Sequence, residues 1–305
     1  MNIGIIDLDT SHPASWIPIE RDLGHTPAMI WDGGSVHPAA YVETFAREQG
    51  IALAGSLDEM LPAVDGVIIH GCDWDTHVAK ARPFIEAGKA VLIDKPFAGN
   101  LRDLETIRQW AREGKRITGG SSLPFCNELL AWQAIPEEER GTPHTAIVGC
   151  AVDEFNYGIH AYALLSAIFG SGIRSVRHLS DRGQRQIRVE WHDGRSGYLF
   201  IGKLDGWIPF HATILTNKGV TQLQPEAADL YAALLKAVLP YLSGQVERPP
   251  LPVGHLLEAE LAALAAKESW ENGNREVLLC EIGESTRYDG AAFAESYRAA
   301  RYPAS

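Results

Sequence analysis

Short apolar runs alternate with amphipathic stretches over the first 120 residues of the chain. Five of these runs have the length of buried strands and stand at 3–6, 28–31, 66–70, 90–93 and 116–120. Three stretches with helical periodicity lie between them, at 42–50, 76–88 and 101–114. Strands that are almost wholly apolar and alternate with helices predict a parallel sheet covered by helices, which is a doubly wound α/β domain.

From about residue 144 the pattern becomes one of alternating apolar and polar positions, which is typical of strands with one buried face. Further helical patterns occur at 157–170, 226–244 and 255–273. We therefore predict that a Rossmann-type first domain, 1–120, is followed by an α+β domain, 121–305, with an open, mostly antiparallel sheet. The closing helix, 255–273, could pack back on the first domain.

The composition of the chain limits which partners and which cellular compartment we expect. The 305 residues carry a formal net charge of −12, which argues against nucleic acid or an anionic membrane surface as a partner. The 4 cysteines are scattered and form no CxxC pair, so we expect reduced thiols in a cytoplasmic protein. We find no signal peptide and no apolar stretch long enough for a membrane span.

The stretch DGVIIHGCDWDTHVAKARPFIEAGKAVLIDKPFAGN (65–100) resembles the oxidoreductase family of glucose–fructose oxidoreductase and inositol dehydrogenase (Gfo/Idh/MocA). The matching pieces are His77 in the loop after a strand, alanine-glycine-lysine at 87–89, and Asp94-Lys95-Pro96 where the family has Glu-Lys-Pro. The helix at 155–170 resembles the family's Asp-x-Gly-x-His helix, and 251–279 resembles its closing helix. The matches occur in the family's order and cover most of the chain.

This resemblance implies an NAD-dependent oxidoreductase acting on the CH–OH group of a sugar, cyclitol or related polyol. It also implies a homodimer or homotetramer formed through the open sheet, where Trp207 is a candidate interface residue. Lys95 would position and polarise the reacting hydroxyl, and His160 would exchange its proton. The family usually has an aspartate one helical turn before the histidine, and this chain has Asn156 there. Asn156 can orient the substrate or the imidazole but carries no proton, so either His160 acts without such a relay or Asp153 or Glu154 replaces the aspartate.

The cofactor turn departs from the family. In IGIIDLDTSHP (3–13), Asp7, Asp9 and His12 occupy the three positions of the glycine-rich fingerprint. A carboxylate 4 Å from a phosphate charge would cost about 1 kcal/mol in water and about 4 kcal/mol at an effective dielectric constant near 20. The hydroxyls of Thr10 and Ser11 could replace backbone donors, with Ser11 as the helix N-cap. The predicted cofactor-binding residues are Asp9, Thr10, Ser11, His12, Asp32, His77 and Asp94, with Asp32 as the ribose partner that favours NAD over NADP.

A second hypothesis uses the same edge of the sheet for a divalent metal instead of NAD. The acidic residues and histidines after the first and third apolar runs could converge there; they are Asp7, Asp9, His12, His70, Asp73, Asp75 and His77. Such a metal, acting with Lys95 and His160, could support elimination, epimerisation or hydrolysis. Aspartate and histidine are also common turn and cap residues, so no metal ligand is assigned. A third hypothesis is a non-catalytic ligand-binding protein with neither cofactor.

Overall fold

A computed structural model describes residues 1–303, which form two compact units. The first unit contains residues 1–120, 235–253 and the segment that starts at Asp289. The second unit contains residues 121–234 and 254–288. The first boundary falls at 120, directly after the last of the five apolar runs, and two later segments of the predicted second domain group with the first unit.

The first unit is built on a six-stranded sheet whose order is β3-β2-β1-β4-β5-β6, with all pairs parallel. Its strands are β1 (Asn2–Ile6), β2 (Thr26–Trp31), β3 (Ala52–Leu53), β4 (Gly66–Ile69), β5 (Ala90–Asp94) and β6 (Ile117–Gly120). Its helices before residue 121 are α1 (His12–Asp22), α2 (Ala39–Gln49), α3 (Leu57–Met60), α4 (His77–Glu86) and α5 (Leu101–Arg112). This strand order is that of the doubly wound dinucleotide-binding fold, as predicted. Every residue of β4 and β5 is buried, which explains their unbroken apolar sequences.

The second unit contains a seven-stranded sheet in the order β12-β11-β7-β10-β9-β8-β13, antiparallel except for the β7–β10 pair. Its strands are β7 (Pro143–Gly149), β8 (Ile173–Ser180), β9 (Arg185–Trp191), β10 (Ser196–Ile201), β11 (His211–Thr216), β12 (Gly219–Leu223) and β13 (Val277–Leu278). Its helices are α6 (Asn127–Ala134), α7 (Glu137–Arg140), α8 (Gly158–Phe169) and α10 (Val253–Glu271), while α9 (Leu230–Leu242) contains the boundary at 234. Strands β10 and β11 alternate buried and half-buried residues, which confirms the predicted sheet.

The helix predicted at 255–273 is α10, and it groups with the second unit. Its Ser269 Oγ accepts a hydrogen bond of 2.9 Å from the backbone N–H of His178 in β8. Glu258 Oε2 accepts one of 2.8 Å from the backbone N–H of Gly172. Because α10 is apolar around most of its circumference, its periodicity does not indicate which domain it packs against.

A helix that the sequence analysis did not identify, α11 (Gly290–Arg301), lies in the first unit. Asp75 Oδ2 accepts a hydrogen bond of 3.0 Å from the backbone N–H of Gly290, at the start of this helix. Phe293 packs against Trp74 with ring centroids 5.0 Å apart. Helix α11 therefore contributes to the packing of the first unit.

Glu20 is a buried carboxylate in α1, and neither of its side-chain oxygens has a hydrogen-bond partner among the described residues. Burial raises the pKa of Glu20 to about 7. Because the folded protein holds this proton more tightly than the unfolded chain, the contribution of Glu20 to stability is greatest below about pH 4.5 and is lost as the pH rises through about 7. We expect the change in the free energy of unfolding caused by Glu20→Gln to be about 3 kcal/mol more favourable at pH 8 than at pH 4. Urea unfolding at the two pH values measures this difference.

The matched control for this prediction is Glu48→Gln, which removes an exposed carboxylate from α2. It should shift the unfolding free energy by the same small amount at both pH values. An equal effect of Glu20→Gln at pH 4 and pH 8 would contradict the assignment.

Candidate functional site

The first aspartate of the turn after β1 is an internal structural residue. Asp7 is fully buried, and its backbone is in the left-handed region, with φ of 66°. Its Oδ2 lies 2.5 Å from Nζ of Lys80, and its Oδ1 accepts a hydrogen bond of 3.0 Å from the backbone N–H of Gly33. The charge of Asp7 is therefore balanced inside the protein by a lysine of α4 that sequence reasoning did not single out.

The carboxylates of Asp9 and Asp32 also bind backbone amides. Asp9 Oδ2 accepts a hydrogen bond of 2.7 Å from the N–H of Cys72, and Asp32 accepts bonds of 2.8 and 2.7 Å from the N–H groups of Leu8 and Gly34. Burial, with a smaller contribution from Asp7, raises the pKa of Asp9 to about 7. Together with Asp7, these carboxylates connect the loops after β1, β2 and β4. The repulsion expected between this turn and a pyrophosphate is reduced accordingly.

Two hydroxyl side chains, Thr10 and Ser11, stand at the start of α1. Thr10 is half-buried, and its Oγ1 accepts a hydrogen bond of 3.1 Å from the N–H of His12. Ser11 is exposed and precedes the helix, but its side chain makes no capping hydrogen bond, contrary to our expectation. Its hydroxyl is thus not used by the helix. The amino end of α1, at the carboxyl edge of the sheet, has the polarity that suits a phosphate group.

Asp32 also lines a cavity of about 250 Å³. The residues around this cavity include Trp31, Gly34, His37 and a second acidic residue, Glu43. Carboxylates accept hydrogen bonds from sugar hydroxyls, whereas they repel a phosphate. This surrounding is suited to an uncharged ribose.

His12, His70 and Asp94 form a cluster at the carboxyl edge of the sheet. The Nδ1 atoms of His12 and His70 lie 2.5 and 3.0 Å from the same oxygen, Oδ2, of Asp94. Although burial opposes it, the neighbouring His12 and His70 hold the pKa of Asp94 well below its usual range. Burial lowers the pKa of His70. Of the predicted cofactor residues, His12 and Asp94 therefore contact each other directly.

The remaining residues of the proposed metal set serve local structure. Asp73 Oδ1 accepts a hydrogen bond of 3.2 Å from the N–H of Asp75, and Asp75 contacts the start of α11. The ring nitrogens of His77, which is fully buried, lie 3.1 and 3.0 Å from the carbonyl oxygens of Phe97 and Gly71. These side chains do not all converge on one metal position, because most of them bind backbone groups.

Lys95 directly follows β5, and its residue surface is 8% exposed. Its backbone N–H donates a hydrogen bond of 2.7 Å to Oδ1 of Asp94, and its peptide bond to Pro96 is cis. The lysine thus leaves the carboxyl end of a central parallel strand, at the edge where doubly wound sheets bind ligands.

His160 belongs to the second unit and lies in α8, a helix whose residues are all buried. Its Nδ1 is 2.8 Å from Oγ of Ser121, which also accepts a hydrogen bond of 3.1 Å from the N–H of Leu123. A serine hydroxyl can donate or accept, so Ser121 can stabilise either tautomer of the imidazole. Sequence reasoning missed Ser121, although its position directly after the apolar run at 116–120 could have indicated it.

Asn156 precedes α8, which begins at Gly158, so it is not one helical turn before His160 within that helix. Asp153 Oδ1 accepts hydrogen bonds of 2.9 and 3.0 Å from the N–H groups of Phe155 and Tyr157. Glu154 forms an ion pair of 3.1 Å with Arg185. Asp153 and Glu154 therefore bind backbone amides and an arginine. The residue that contacts the imidazole of His160 is Ser121.

No helix among the described residues combines the length and the apolar character required to cross a bilayer.

Comparison with known proteins identifies the first unit. Residues 28–119 match the model of an oxidoreductase family with an NAD-binding Rossmann fold, Gfo/Idh/MocA. No curated protein matches the sequence.

Solved structures extend the likeness over the whole fold. A probable dehydrogenase from Thermotoga maritima is 16% identical, with a TM-score of 0.79 over 93% of this chain and 100% of that chain. A scyllo-inositol dehydrogenase from Lactobacillus casei is 16% identical, with a TM-score of 0.77 over 92% and 98%. GenD2 from gentamicin A biosynthesis, crystallised with NAD, is 17% identical, with a TM-score of 0.75 over 91% and 96%. Residues 28–119 therefore resemble the NAD-binding Rossmann domain of the Gfo/Idh/MocA oxidoreductase family, and the chain shares its fold with these dehydrogenase structures.

Proposed function

We propose that this protein is an NAD-dependent oxidoreductase acting on the CH–OH group of a sugar, cyclitol or related polyol. The observation that carries the proposal is Lys95, which is buried directly after β5 within the range that matches the oxidoreductase family. The inositol dehydrogenase among the similar structures supports the substrate class.

The residues present fit the cofactor despite the missing glycines. The carboxylates of Asp7 and Asp9 are turned to Lys80 and to a backbone amide, which leaves the amino end of α1 for the pyrophosphate. Thr10 and Ser11 would add hydroxyl donors there, and Asp32 would accept the ribose hydroxyls. When bound, NAD supplies the hydride acceptor. The proposed roles of His12 and Asp94 are to shape this edge through their mutual contact, and that of His77 is to position the loop at Gly71.

The chain's own residues would handle the substrate hydroxyl. The ammonium group of Lys95 donates a hydrogen bond to the hydroxyl oxygen and stabilises the negative charge that develops as the C–H bond breaks. His160 exchanges the hydroxyl proton, oriented by Ser121. Asn156 would hydrogen-bond the substrate, since an amide is both donor and acceptor.

We also propose a homodimer or homotetramer formed through the exposed face of the second sheet. That face presents Ile147 of β7, and Val220 of β12 is exposed on the same sheet. Trp207, between β10 and β11, is 62% exposed. The four free cysteines agree with the reducing cytoplasm that we propose as its location.

Calorimetric titration with NAD and with NADP tests the cofactor, and a panel of sugars, cyclitols and polyols then tests the reaction by reduction of bound NAD. We expect NAD to bind and NADP to bind more weakly, with Asp32→Ala reducing the difference. Tighter binding of NADP would contradict the role of Asp32. Absence of binding by either nucleotide would overturn the proposal.

Ser121→Ala is expected to lower kcat about fivefold with little change in KM, because losing one hydrogen bond to the imidazole costs about 1 kcal/mol. The pH profile of kcat should shift, since the hydroxyl contacts the titrating ring. The adjacent Ser122→Ala, also buried, is the control and should keep both the rate and the profile. An unchanged profile in Ser121→Ala would show that the serine is only a packing residue.

A further inference from the structure

We propose that His12, His70 and Asp94 form a binding site for a divalent transition-metal ion of the zinc class. Two imidazole nitrogens and one carboxylate oxygen converge there, all within 4.8 Å of one another. Both Nδ1 atoms approach a single oxygen, Oδ2 of Asp94. Both contacts are hydrogen bonds, so a metal ion would replace the protons between these atoms and separate the nitrogens from Oδ2 to reach ordinary coordination distances of about 2.0–2.2 Å.

The three residues are held by rigid and adjacent elements. His12 begins α1, His70 follows β4, and Asp94 ends β5, which pairs with β4 in the sheet. The backbone N–H of His70 donates a hydrogen bond of 2.9 Å to the carbonyl oxygen of Ile6. Ligands fixed by strand ends and a helix start preserve their mutual geometry better than ligands on free loops.

The chemistry of the set favours zinc, cobalt or iron(II) over calcium or magnesium. Imidazole suits the first group, whereas the second prefers oxygen ligands only. Two histidines and one carboxylate leave coordination positions open for water or a ligand oxygen. The side chain of His12 is 12% exposed while that of His70 is fully buried, so the open positions would be reached past His12.

An outer hydrogen bond supports the carboxylate ligand, while Nε2 of His70 has no hydrogen-bond partner among the described residues. The second oxygen of Asp94, Oδ1, accepts the backbone N–H of Lys95 at 2.7 Å, which fixes the carboxylate plane. Trp16 stacks on His12 at 5.6 Å between ring centroids and meets His70 edge to face at 4.9 Å. This tryptophan packs against one side of the cluster and limits the orientations of both imidazoles.

The neighbouring carboxylates favour a cation. Asp7 and Asp9 lie in the loop that connects β1 to His12, and they influence the electrostatics of one another and, in the case of Asp7, of His70. Lys80 balances only Asp7 by direct contact. The Asp7 carboxylate therefore acts on His70 in the direction that favours positive charge there.

The test is titration of the chelator-treated, full-length protein with Zn²⁺ by calorimetry, and with Co²⁺ by its visible absorption. We expect one site, with a Co²⁺ spectrum of low coordination number. His12→Gln, His70→Gln and Asp94→Asn should each weaken Zn²⁺ binding by about 100-fold or more, since even changes in outer contacts cost 10–100-fold. Replacing the exposed His144 or His192 with glutamine should change nothing at this site.

Circular dichroism identifies variants that fail to fold, and His12, whose side chain is 12% exposed, is the more accessible of the two histidines. Zn²⁺ affinity that is the same in wild type and His12→Gln, or absence of binding to the folded wild type, would overturn the proposal and leave a hydrogen-bonded His–Asp–His cluster. The proposal does not depend on the proposed function: metal binding is read without NAD, and NAD binding is read in separate titrations.

Discussion

Replacing Lys95 with alanine is expected to lower kcat by about a hundred- to a thousandfold while NAD binding stays within a few-fold of wild type. Removing one preorganised donor from a developing oxyanion has effects of this size. The lysine is 8% exposed and leaves the end of β5, so alanine removes its ammonium group from the edge of the sheet without altering the strand. Steady-state kinetics with the best substrate of the polyol panel, and calorimetry with NAD, measure the two quantities.

Lys236→Ala is the matched control, because this lysine is exposed on α9. It should leave both measurements unchanged. Lys95→Arg keeps the positive charge but changes the shape of the donor, and it should recover only part of the lost rate. A Lys95→Ala enzyme that retains near-normal turnover would remove this residue from the proposed mechanism.

Lys80→Met is expected to destabilise the protein by about 3–5 kcal/mol, because it leaves the buried charge of Asp7 without its partner. The cost arises from desolvation of the carboxylate rather than from lost packing, since methionine keeps most of the lysine's apolar stem. Urea unfolding at neutral pH, followed by tryptophan fluorescence and circular dichroism, gives the free energy of unfolding.

The double variant Asp7→Gly with Lys80→Met distinguishes charge from packing. It removes both members of the ion pair, and glycine suits the left-handed backbone, φ 66°, that residue 7 adopts. We expect it to recover most of the stability that Lys80→Met loses, although the bond from Gly33 to Asp7 is also lost. Lys236→Met serves as the exposed control. A double variant no more stable than Lys80→Met would contradict the ion-pair explanation.

The hydrophobic pattern was sufficient for the sheet of the first unit, because strands such as β4 and β5 are apolar on both faces and few other structures accommodate such runs. The edge strand β3, with two exposed residues, has no such pattern and was missed. Its existence depends on pairing with β2, which is a tertiary interaction.

The candidate site could be predicted only where chemistry is local. Lys95 and Asp94 follow an apolar strand, and this position is readable from the sequence. The ion pair of Asp7 and Lys80 joins residues that are far apart in the chain. The sequence shows neither that these two residues are partners nor that they are buried. The aspartates of the turn therefore resembled charges facing a phosphate, whereas in the structure they bind inward to a lysine and to backbone amides.

Helix α11 has a consequence for how the first unit is made. Trp74 and Cys72, which belong to the loop region after β4, pack against Phe293 and Ala294 near the end of the chain. During synthesis the ribosome would release the parallel sheet long before the helix that covers this apolar surface. The nascent chain would thus display a hydrophobic patch until α11 has emerged, and a gene cut after residue 120 would encode a sheet that keeps this patch exposed.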